Sequence, residues 1–519
     1  MAQTKILWVD DEIDMLKPHI IFLEQKGYII STATNGSDAL EMVTNENFDV
    51  IFLDENMPGL SGIETMEKIK DISPLIPIVM ITKSEEENIM DEAIGSKISD
   101  FLIKPVNPNQ IILVLKKIID KQRLVSQKIT SSYQSEFTKL GMEINETYDF
   151  SEWIDVYKKL TNWELKLSES DDSNMDEIIH SQLKEANYSF AKYIKKNYIS
   201  WFDNKNTDKI PLFSQNLLSK KVFPYLKNNE KVVFLLLDNL RFDQWKIIEP
   251  LLSQYYTIEE EDLYYSILPT ATQYSRNSIF SGLMPYEINM LYPELWKNDE
   301  EEGGKNLYEE EMLHNLMKRH NVLSSVGFEK LLDISYTKKI IDNLHSLMNN
   351  QFNVLIVNFM DALSHASTEQ KSIKELASSL NSYRAITKSW FEHSNIFEII
   401  KILSNYDYRL IISTDHGSIK INNPVKIIGD KDTTTNLRYK QGKNLSYNPK
   451  EVFEILNPQQ VHLPKTNFTS TYVFAYNNDF FAYPNNYNYF VKYYKDSFQH
   501  GGISLEEMII PVISLKPKK

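Results

Sequence analysis

Short apolar runs that stop abruptly at a chemically active side chain recur along this sequence, and that punctuation restricts the folds open to it. Arg409-Leu410-Ile411-Ile412-Ser413-Thr414 leads into Asp415-His416-Gly417, Val232 to Leu237 stops at Asp238, and Val354 to Met360 stops at Asp361, with His365 four residues on. Near the amino terminus Lys5 to Val9 ends at Asp10-Asp11, Val50 to Leu53 at Asp54, Ile78 to Ile81 at Thr82, and Phe101 to Ile103 at Lys104-Pro105. Runs of this length read as buried strands. Helical patterns such as Asp38 to Asn45 and Ile111 to Asp120 lie between them, and that alternation builds a parallel, doubly wound α/β sheet. Ligands of such sheets gather at the carboxyl edge of the strands, where every polar residue just named falls.

At 519 residues the chain is too long for one core. Three segments are expected: a doubly wound α/β domain over 1–120, a helical-bundle linker over 121–205, and a large α/β domain over 206–519. The linker rests on 3.6-residue periodicity in three stretches: Val125, Ile129, Tyr133, Phe137, Leu140 and Ile144; Trp153, Val156, Tyr157, Leu160 and Trp163; Met175, Ile179, Leu183, Ala186, Phe190 and Ile194. Thr147 to Phe150 and Ser168 to Asn174 read as the loops between them. His180 has no ligand partner at useful spacing, and no convincing helix-turn-helix is present. The chain has no cysteine, so a metal must be held by histidines and carboxylates. No apolar run of membrane-spanning length occurs and no secretory leader is evident, so a cytoplasmic protein without membrane insertion is expected. A net charge of −15 disfavours non-specific binding to duplex DNA.

Carboxylates, a hydroxyl and a lysine at the strand ends of the first segment suit phosphoryl transfer onto a carboxylate. Asp10 and Asp11 offer the hard oxygens that Mg²⁺ prefers, Asp54 is the nucleophile, and Thr82 and Lys104 can hold phosphoryl oxygens. Asp10-Asp11, Asp54, Met57-Pro58-Gly59, Thr82, Phe101 and Lys104-Pro105 resemble a response-regulator receiver domain. The resemblance implies phosphorylation of Asp54 by a sensor histidine kinase, one Mg²⁺ held by Asp10, Asp11, Asp54 and the Asn56 carbonyl, and a Thr82/Phe101 switch pair.

In the third segment Asp238, Asp361, Asp415, His365, His416 and His500 stand with Thr272, which opens a helical stretch running from Gln273 to Phe280. That set suffices for two metals with a hydroxyl between them, an arrangement that clamps a phosphoryl group. The order of these motifs, with Pro269-Thr270-Ala271-Thr272 as nucleophile motif, resembles the alkaline phosphatase superfamily in its phosphodiesterase and PglZ branch. The resemblance implies two Zn²⁺, one on Asp361, His365 and His500 and the other on Asp238, Asp415, His416 and the Thr272 oxygen. It further implies in-line attack by Thr272, a phosphothreonine intermediate and its hydrolysis. Where the phosphodiesterases carry a phosphate-binding asparagine, this chain has Ser275 followed by Arg276, so Arg276 is a candidate phosphate clamp. His314, His320, His345 and His393 are left outside the site. Tyr483 to Tyr494 reads as a base-stacking surface or as a β-rich edge packed by aromatics. Glu506-Glu507 reads as an orienting pair for a metal ligand or as a helix start.

Taken together the three segments resemble the PorX-type response regulators of Bacteroidota. That implies homodimerisation on phosphorylation and control of type IX secretion and gliding. The implied output is zinc-dependent phosphodiesterase action on nucleotides or oligonucleotides, with type IX secretion components or a sigma factor as further partners. The alternative is an adaptor whose zinc pocket is structural and whose output is protein contact.

Overall fold

The computed structural model describes residues 4–73, 76–83, 98–168, 173–203, 210–331, 337–338, 340–341, 344–430, 433–465, 467 and 469–518. The expected boundary at 205/206, most of the loop from Ser168 to Asn174 and the side chains of Val125 and His345 lie outside the described residues. The chain divides into two compact units, Met1–Ser132 and Tyr133–Lys519.

In the first unit β1 (Lys5–Val9), β2 (Ile29–Ala33), β3 (Val50–Asp54), β4 (Ile78–Thr82) and β5 (Asp100–Ile103) form one sheet ordered β2-β1-β3-β4-β5, all parallel. The chain moves outward from β1 to β2 and returns on the other side at β3. That reversal leaves a crevice at the carboxyl ends of β1 and β3. Both faces of β1 are buried: Ile6 and Trp8 pack with Leu23, Ile111 and Leu115, whereas Leu7 and Val9 pack with Ala39, Val43 and Met66. A strand covered on both sides has no polar face, so it reads as an unbroken apolar run. Helices α1 (Lys17–Gln25), α2 (Gly36–Asn45) and α3 (Gly62–Ile72) are among those that cover the sheet. A Cβ on Gly62 would stand 2.3 Å from the Asp54 carbonyl oxygen, so only glycine lets α3 start this close to the end of β3.

One expectation is corrected at the next element. The pattern ending at Asp120 and the one beginning at Val125 form a single 39-residue helix, α4 (Pro108–Glu146). No proline or glycine lies between 121 and 140, so nothing in that stretch stops the helix.

In the second unit the last turns of α4 pack with α5 (Phe150–Ser168) and α6 (Ser173–Asp203). Tyr133 joins all three: its hydroxyl donates to Gln182 Oε1 at 2.8 Å and its ring lies 5.4 Å from that of Trp163. A six-stranded sheet follows, built from β6 (Lys231–Leu237), β7 (Tyr256–Tyr265), β8 (Val326–Leu331), β9 (Phe352–Val357), β10 (Tyr408–Ser413) and β11 (Ile509–Pro517), ordered β7-β11-β10-β6-β9-β8. Strands β8, β9, β6 and β10 run parallel, and β11 lies antiparallel to both β10 and β7. Helices α7 (Phe242–Leu252), α8 (Thr272–Ser281), α9 (Phe359–Glu369) and α10 (Leu380–Glu392) connect or flank the strands.

Two further readings change. The run Val354 to Met360 is not strand to its end. β9 stops at Val357 and α9 begins at Phe359, so Asp361 sits in the first turn of a helix. The segment Tyr483 to Tyr494 is not a β-rich edge over most of its length: Tyr487–Tyr494 is a helix, α11. Aromatic rings four residues apart stack there, Tyr489 on Tyr493 and Phe490 on Tyr494, as helical spacing allows.

Candidate metal centre

Three neighbouring parallel strands deliver the acidic residues. Asp238 follows β6, Asp415 and His416 follow β10 after Thr414, and Asp361 and His365 lie one turn apart on α9 just beyond β9. His500 comes from the loop after strand Phe498–Gln499, which pairs with Ile419–Lys420, three residues beyond His416. Thr272 is the first residue of α8, where unpaired N–H groups and the helix dipole favour a bound anion.

The side chains converge in two groups. Ligand atoms of Asp238, Asp415 and His416 lie within 4.8 Å of one another, and so do those of Asp361, His365 and His500. In the first group His416 Nε2 is 3.6 Å from Asp238 Oδ1, 3.8 Å from Asp415 Oδ2 and 3.0 Å from Thr272 Oγ1. In the second, Asp361 bridges His500 Nε2 at 3.4 Å and His365 Nε2 at 3.5 Å. The His416 and His500 rings stack with centroids 4.1 Å apart, so the two groups are contiguous. Asp238, Asp415 and His416 are buried, whereas His365 is exposed.

Backbone contacts orient both imidazoles. His416 Nδ1 faces the Gly417 carbonyl at 3.2 Å and His500 Nδ1 faces the Thr270 carbonyl at 3.2 Å. Donation from Nδ1–H fixes each ring, leaving His416 Nε2 as an acceptor facing the Thr272 hydroxyl and placing His500 Nε2 against the Asp361 carboxylate, and such backbone anchoring is how metal-binding histidines are oriented. Burial, reinforced by His500, lowers the His416 pKa to about 4, so its ring is neutral at pH 7. Burial would also lower His500, but its bond to Asp361 and the charge of that carboxylate outweigh it and raise the value to about 8. Asp238 is pushed well above the usual carboxylate range by burial and by Asp415, and Asp415 is raised by its own burial.

A cation fits this arrangement on structural grounds. Asp238 Oδ1 and Asp415 Oδ2 are both buried without a hydrogen-bond donor, and both face His416 Nε2. Buried carboxylate oxygens are costly to leave unpaired. Two of them beside a neutral imidazole and a hydroxyl make a donor set of the oxygen and nitrogen type that zinc takes.

The structure corrects the expectation for Arg276. Its guanidinium is buried and spent inward: Nε donates to Glu309 Oε1 at 2.5 Å, and Nη1 donates to Asp238 Oδ2 at 2.7 Å and to Asn358 Oδ1 at 3.3 Å. Arg276 therefore holds Asp238 from behind, with its charge balanced by two carboxylates. Ser275 is also turned inward, within 2.8 Å of Ser266 Oγ. Other parts of the site lacked a sequence signal. Thr270 accepts the Gly501 N–H and donates to the Gly502 carbonyl, both at 3.0 Å, tying the nucleophile turn to the loop of His500. Glu309 has no motif around it and becomes meaningful only through Arg276 and Lys330. Glu507 accepts the Gly502 N–H at 2.9 Å, and its carbonyl accepts the Gly417 N–H at 3.2 Å.

A cleft of about 930 Å³ opens beside His365 and His500, with Asp299, Tyr439, Tyr493 and Tyr494 in its walls. Asp299 is raised by burial, and it accepts hydrogen bonds from Tyr274 at 2.7 Å and Tyr439 at 3.2 Å.

In the first unit Asp10, Asp11 and Asp54 form a third convergent group. Lys104 Nζ lies 2.9 Å from both Asp10 Oδ2 and Asp54 Oδ1. Burial raises Asp54, the Lys104 bond opposes this, and Asp10 and Asp11 add to the rise. Asn56 is in the exposed turn after β3, Thr82 ends β4, and Phe101, at 37 % exposure, lies on the adjacent β5. The cluster of acidic oxygens suits a hard divalent cation.

Comparison with known proteins accounts for both units. Residues 217–515 match the family model of the BREX system PglZ alkaline phosphatase-like domain, 123–202 that of the PorX response regulator linker domain, and 6–116 that of the response regulator receiver domain. Curated relatives match shorter stretches of the chain. The transcriptional regulatory protein ZraR of Klebsiella oxytoca is 33% identical over 139 residues, 27% of this chain and 31% of that protein. The CpxR homolog of Haemophilus influenzae is 30% identical over 166 residues, 32% of this chain and 70% of that protein. ResD of Bacillus subtilis is 34% identical over 117 residues, 22% of this chain and 48% of that protein. The chain thus spans about a third of the length of ZraR and about half that of ResD. Among solved structures, chemotaxis protein CheY4 of Vibrio cholerae is 32% identical, covering 22% of this chain and 99% of that one with a TM-score of 0.21. TrrA of Thermotoga maritima, solved in complex with Mg²⁺-BeF, is 28% identical with the same coverages and a TM-score of 0.21. The chain belongs to the PglZ alkaline phosphatase-like family, carried here in the domain arrangement of a PorX-type response regulator.

Proposed function

We propose that this response regulator is a zinc-dependent phosphodiesterase acting on nucleotides or oligonucleotides, gated by phosphorylation of Asp54 by a sensor histidine kinase, with type IX secretion and gliding as its output. One observation carries the catalytic reading: Thr272 Oγ1 lies 3.0 Å from His416 Nε2, beside two buried carboxylate oxygens that lack donors. Asp238, Asp415, His416 and Thr272 would hold one zinc, and Asp361, His365 and His500 the other. Bound zinc supplies Lewis acidity, lowering the hydroxyl pKa and offsetting negative charge on the phosphoryl group.

The chain's own groups do the remainder. The amino end of α8 sets Thr272 on a fixed turn, and Arg276 fixes Asp238 so that its free oxygen faces the pocket. Attack by Thr272 Oγ on phosphorus displaces one alcohol, which leaves with the hydroxyl proton, and gives a phosphothreonine still esterified to the rest of the substrate; water then hydrolyses it to the phosphate monoester and restores the Thr272 hydroxyl. Among the aromatic residues of the cleft walls, the partly exposed Tyr493 and Tyr494 offer surface on which bases stack. In the receiver, Asp54 is the phosphoacceptor, Asp10, Asp11 and the Asn56 carbonyl would hold Mg²⁺, and Lys104 binds a phosphoryl oxygen. Thr82 and Phe101 report the change.

Thr272→Val tests the reading. The expected result is retained fold and zinc content, hydrolysis of bis(p-nitrophenyl) phosphate and short oligonucleotides reduced at least a hundredfold, and lost pathway output. Output that survives the loss of hydrolysis would instead make the second unit an adaptor.

A further inference from the structure

The linker helices reach the site through hydrogen bonds. Tyr198 on α6 is wholly buried, and its hydroxyl accepts the N–H of Leu268 at 2.7 Å, four residues before Thr272. Asn187, three turns earlier on α6, accepts the N–H of Leu505 at 2.8 Å through Oδ1 and donates to Glu506 Oε2 at 3.0 Å through Nδ2. Glu506 presents its carbonyl oxygen to Gly417, so closely that a Cβ there would stand 2.0 Å from it. On α5, Glu164 accepts from Arg384 Nη2 at 2.5 Å, and Arg384 Nε donates to Asp243 Oδ2 at 2.6 Å. Asp243 Oδ1 in turn accepts from Arg241 Nε at 2.8 Å, and Arg241 Nη1 donates to the carbonyl of Ser418, two residues past His416, at 3.2 Å.

Apolar packing also holds these helices. Tyr157 lies against Phe242, and Phe190 against Tyr265. The polar links are costly to bury, and they are directional, so they define position where apolar contacts do not. Each ends on a segment carrying the site: the turn of Thr272, the loop between His500 and Glu507, and the turn of His416. Reacting groups displaced by about 1 Å can lose about a hundredfold in rate.

We propose that Tyr198, Asn187 and Glu164 are positioning residues of the PglZ-like site, so that a shift of α5 or α6 resets the nucleophile turn and both metal loops together. The catalytic readout rests on the phosphodiesterase reading above and the zinc readout on its zinc site; the exchange readout rests on neither. In the 519-residue chain, Tyr198→Phe removes one hydroxyl and strands the Leu268 N–H. Expected are a fall of tenfold or more in kcat on bis(p-nitrophenyl) phosphate, KM within twofold, and faster hydrogen exchange in the peptide spanning Leu268 to Thr272. Asn187→Ala should speed zinc loss to a chromophoric chelator about tenfold. Phe190→Leu, which loses only apolar packing, should lower Tm while leaving kcat, exchange at Leu268 and zinc retention unchanged. The proposal is overturned if Tyr198→Phe keeps wild-type exchange and Asn187→Ala keeps wild-type zinc retention, or if Phe190→Leu moves these readouts equally. Wild-type protein that hydrolyses no diester would defeat the phosphodiesterase reading, with exchange and zinc retention still deciding this one.

Discussion

Arg438 and Glu507 meet in a two-point bridge from which water is wholly excluded, Nε to Oε1 at 3.0 Å and Nη2 to Oε2 at 2.6 Å. The same carboxylate caps the Gly502 N–H, so the pair pins the loop that carries His500. Arg438→Met leaves Glu507 buried without its countercharge, and breaking such a pair costs about 3–5 kcal/mol. Urea unfolding should register that loss. Arg438→Lys should fall between, because an ammonium cannot satisfy both oxygens in one plane.

Gly417→Ala is expected to be severe. The added methyl would collide with the Glu506 backbone carbonyl, which has no flexible end to move aside. Overpacking of this kind costs roughly 1–3 kcal/mol. The relief available is displacement of the His416 turn, so zinc affinity by chelator competition should fall together with Tm. A variant with native zinc affinity would show that the turn adapts.

Lys440 makes stability depend on pH. Its ammonium is largely buried on strand Tyr439–Gly442 and burial lowers its pKa to about 7. The unfolded chain, with an ordinary lysine value, therefore holds more protons than the folded chain between about pH 7 and 10.4. The contribution of this residue is fully present above the unfolded value and is lost as pH falls through the folded one. Lys440→Met should stabilise the protein by about 1–3 kcal/mol at pH 7, the gain shrinking towards pH 10. Chemical denaturation at several pH values reads both the sign and the window.

Asp54 should control self-association. A beryllofluoride mimic with Mg²⁺ should increase the sedimentation coefficient of the wild type and leave Asp54→Ala unchanged. Equal behaviour of the two proteins would disconnect receiver chemistry from assembly.

Much of this was legible in the residues because strand ends in parallel sheets are readable: β6 and β10 were bounded to within a residue or two, and Asp238, Asp415 and His416 follow them. The spacing of Asp361 and His365 lets both face one point only if a helical turn follows the strand, and the helix that begins at Phe359 supplies that turn. The charge of Arg276 alone suits a phosphate; only the fold reveals Glu309, 33 residues downstream, claiming it first. Thr270, Glu309 and the bonds of Tyr198 and Asn187 depend on contacts between distant segments, and those leave no local periodicity to read. The continuity of the helix through Asp120 is hidden because helical periodicity dips there without any residue that breaks a helix.

The rings of His416 and His500 lie face to face, tilted by 19°. Imidazoles sharing a face cannot be turned one at a time, since rotating either would drive its edge into the other. Under the two-zinc reading, loading of the two ions is therefore expected to be a collective event, the first cation organising the residues that would hold the second. Titrating zinc into stripped protein should give one steep transition, and replacing either histidine with alanine should split it into a shallow partial uptake.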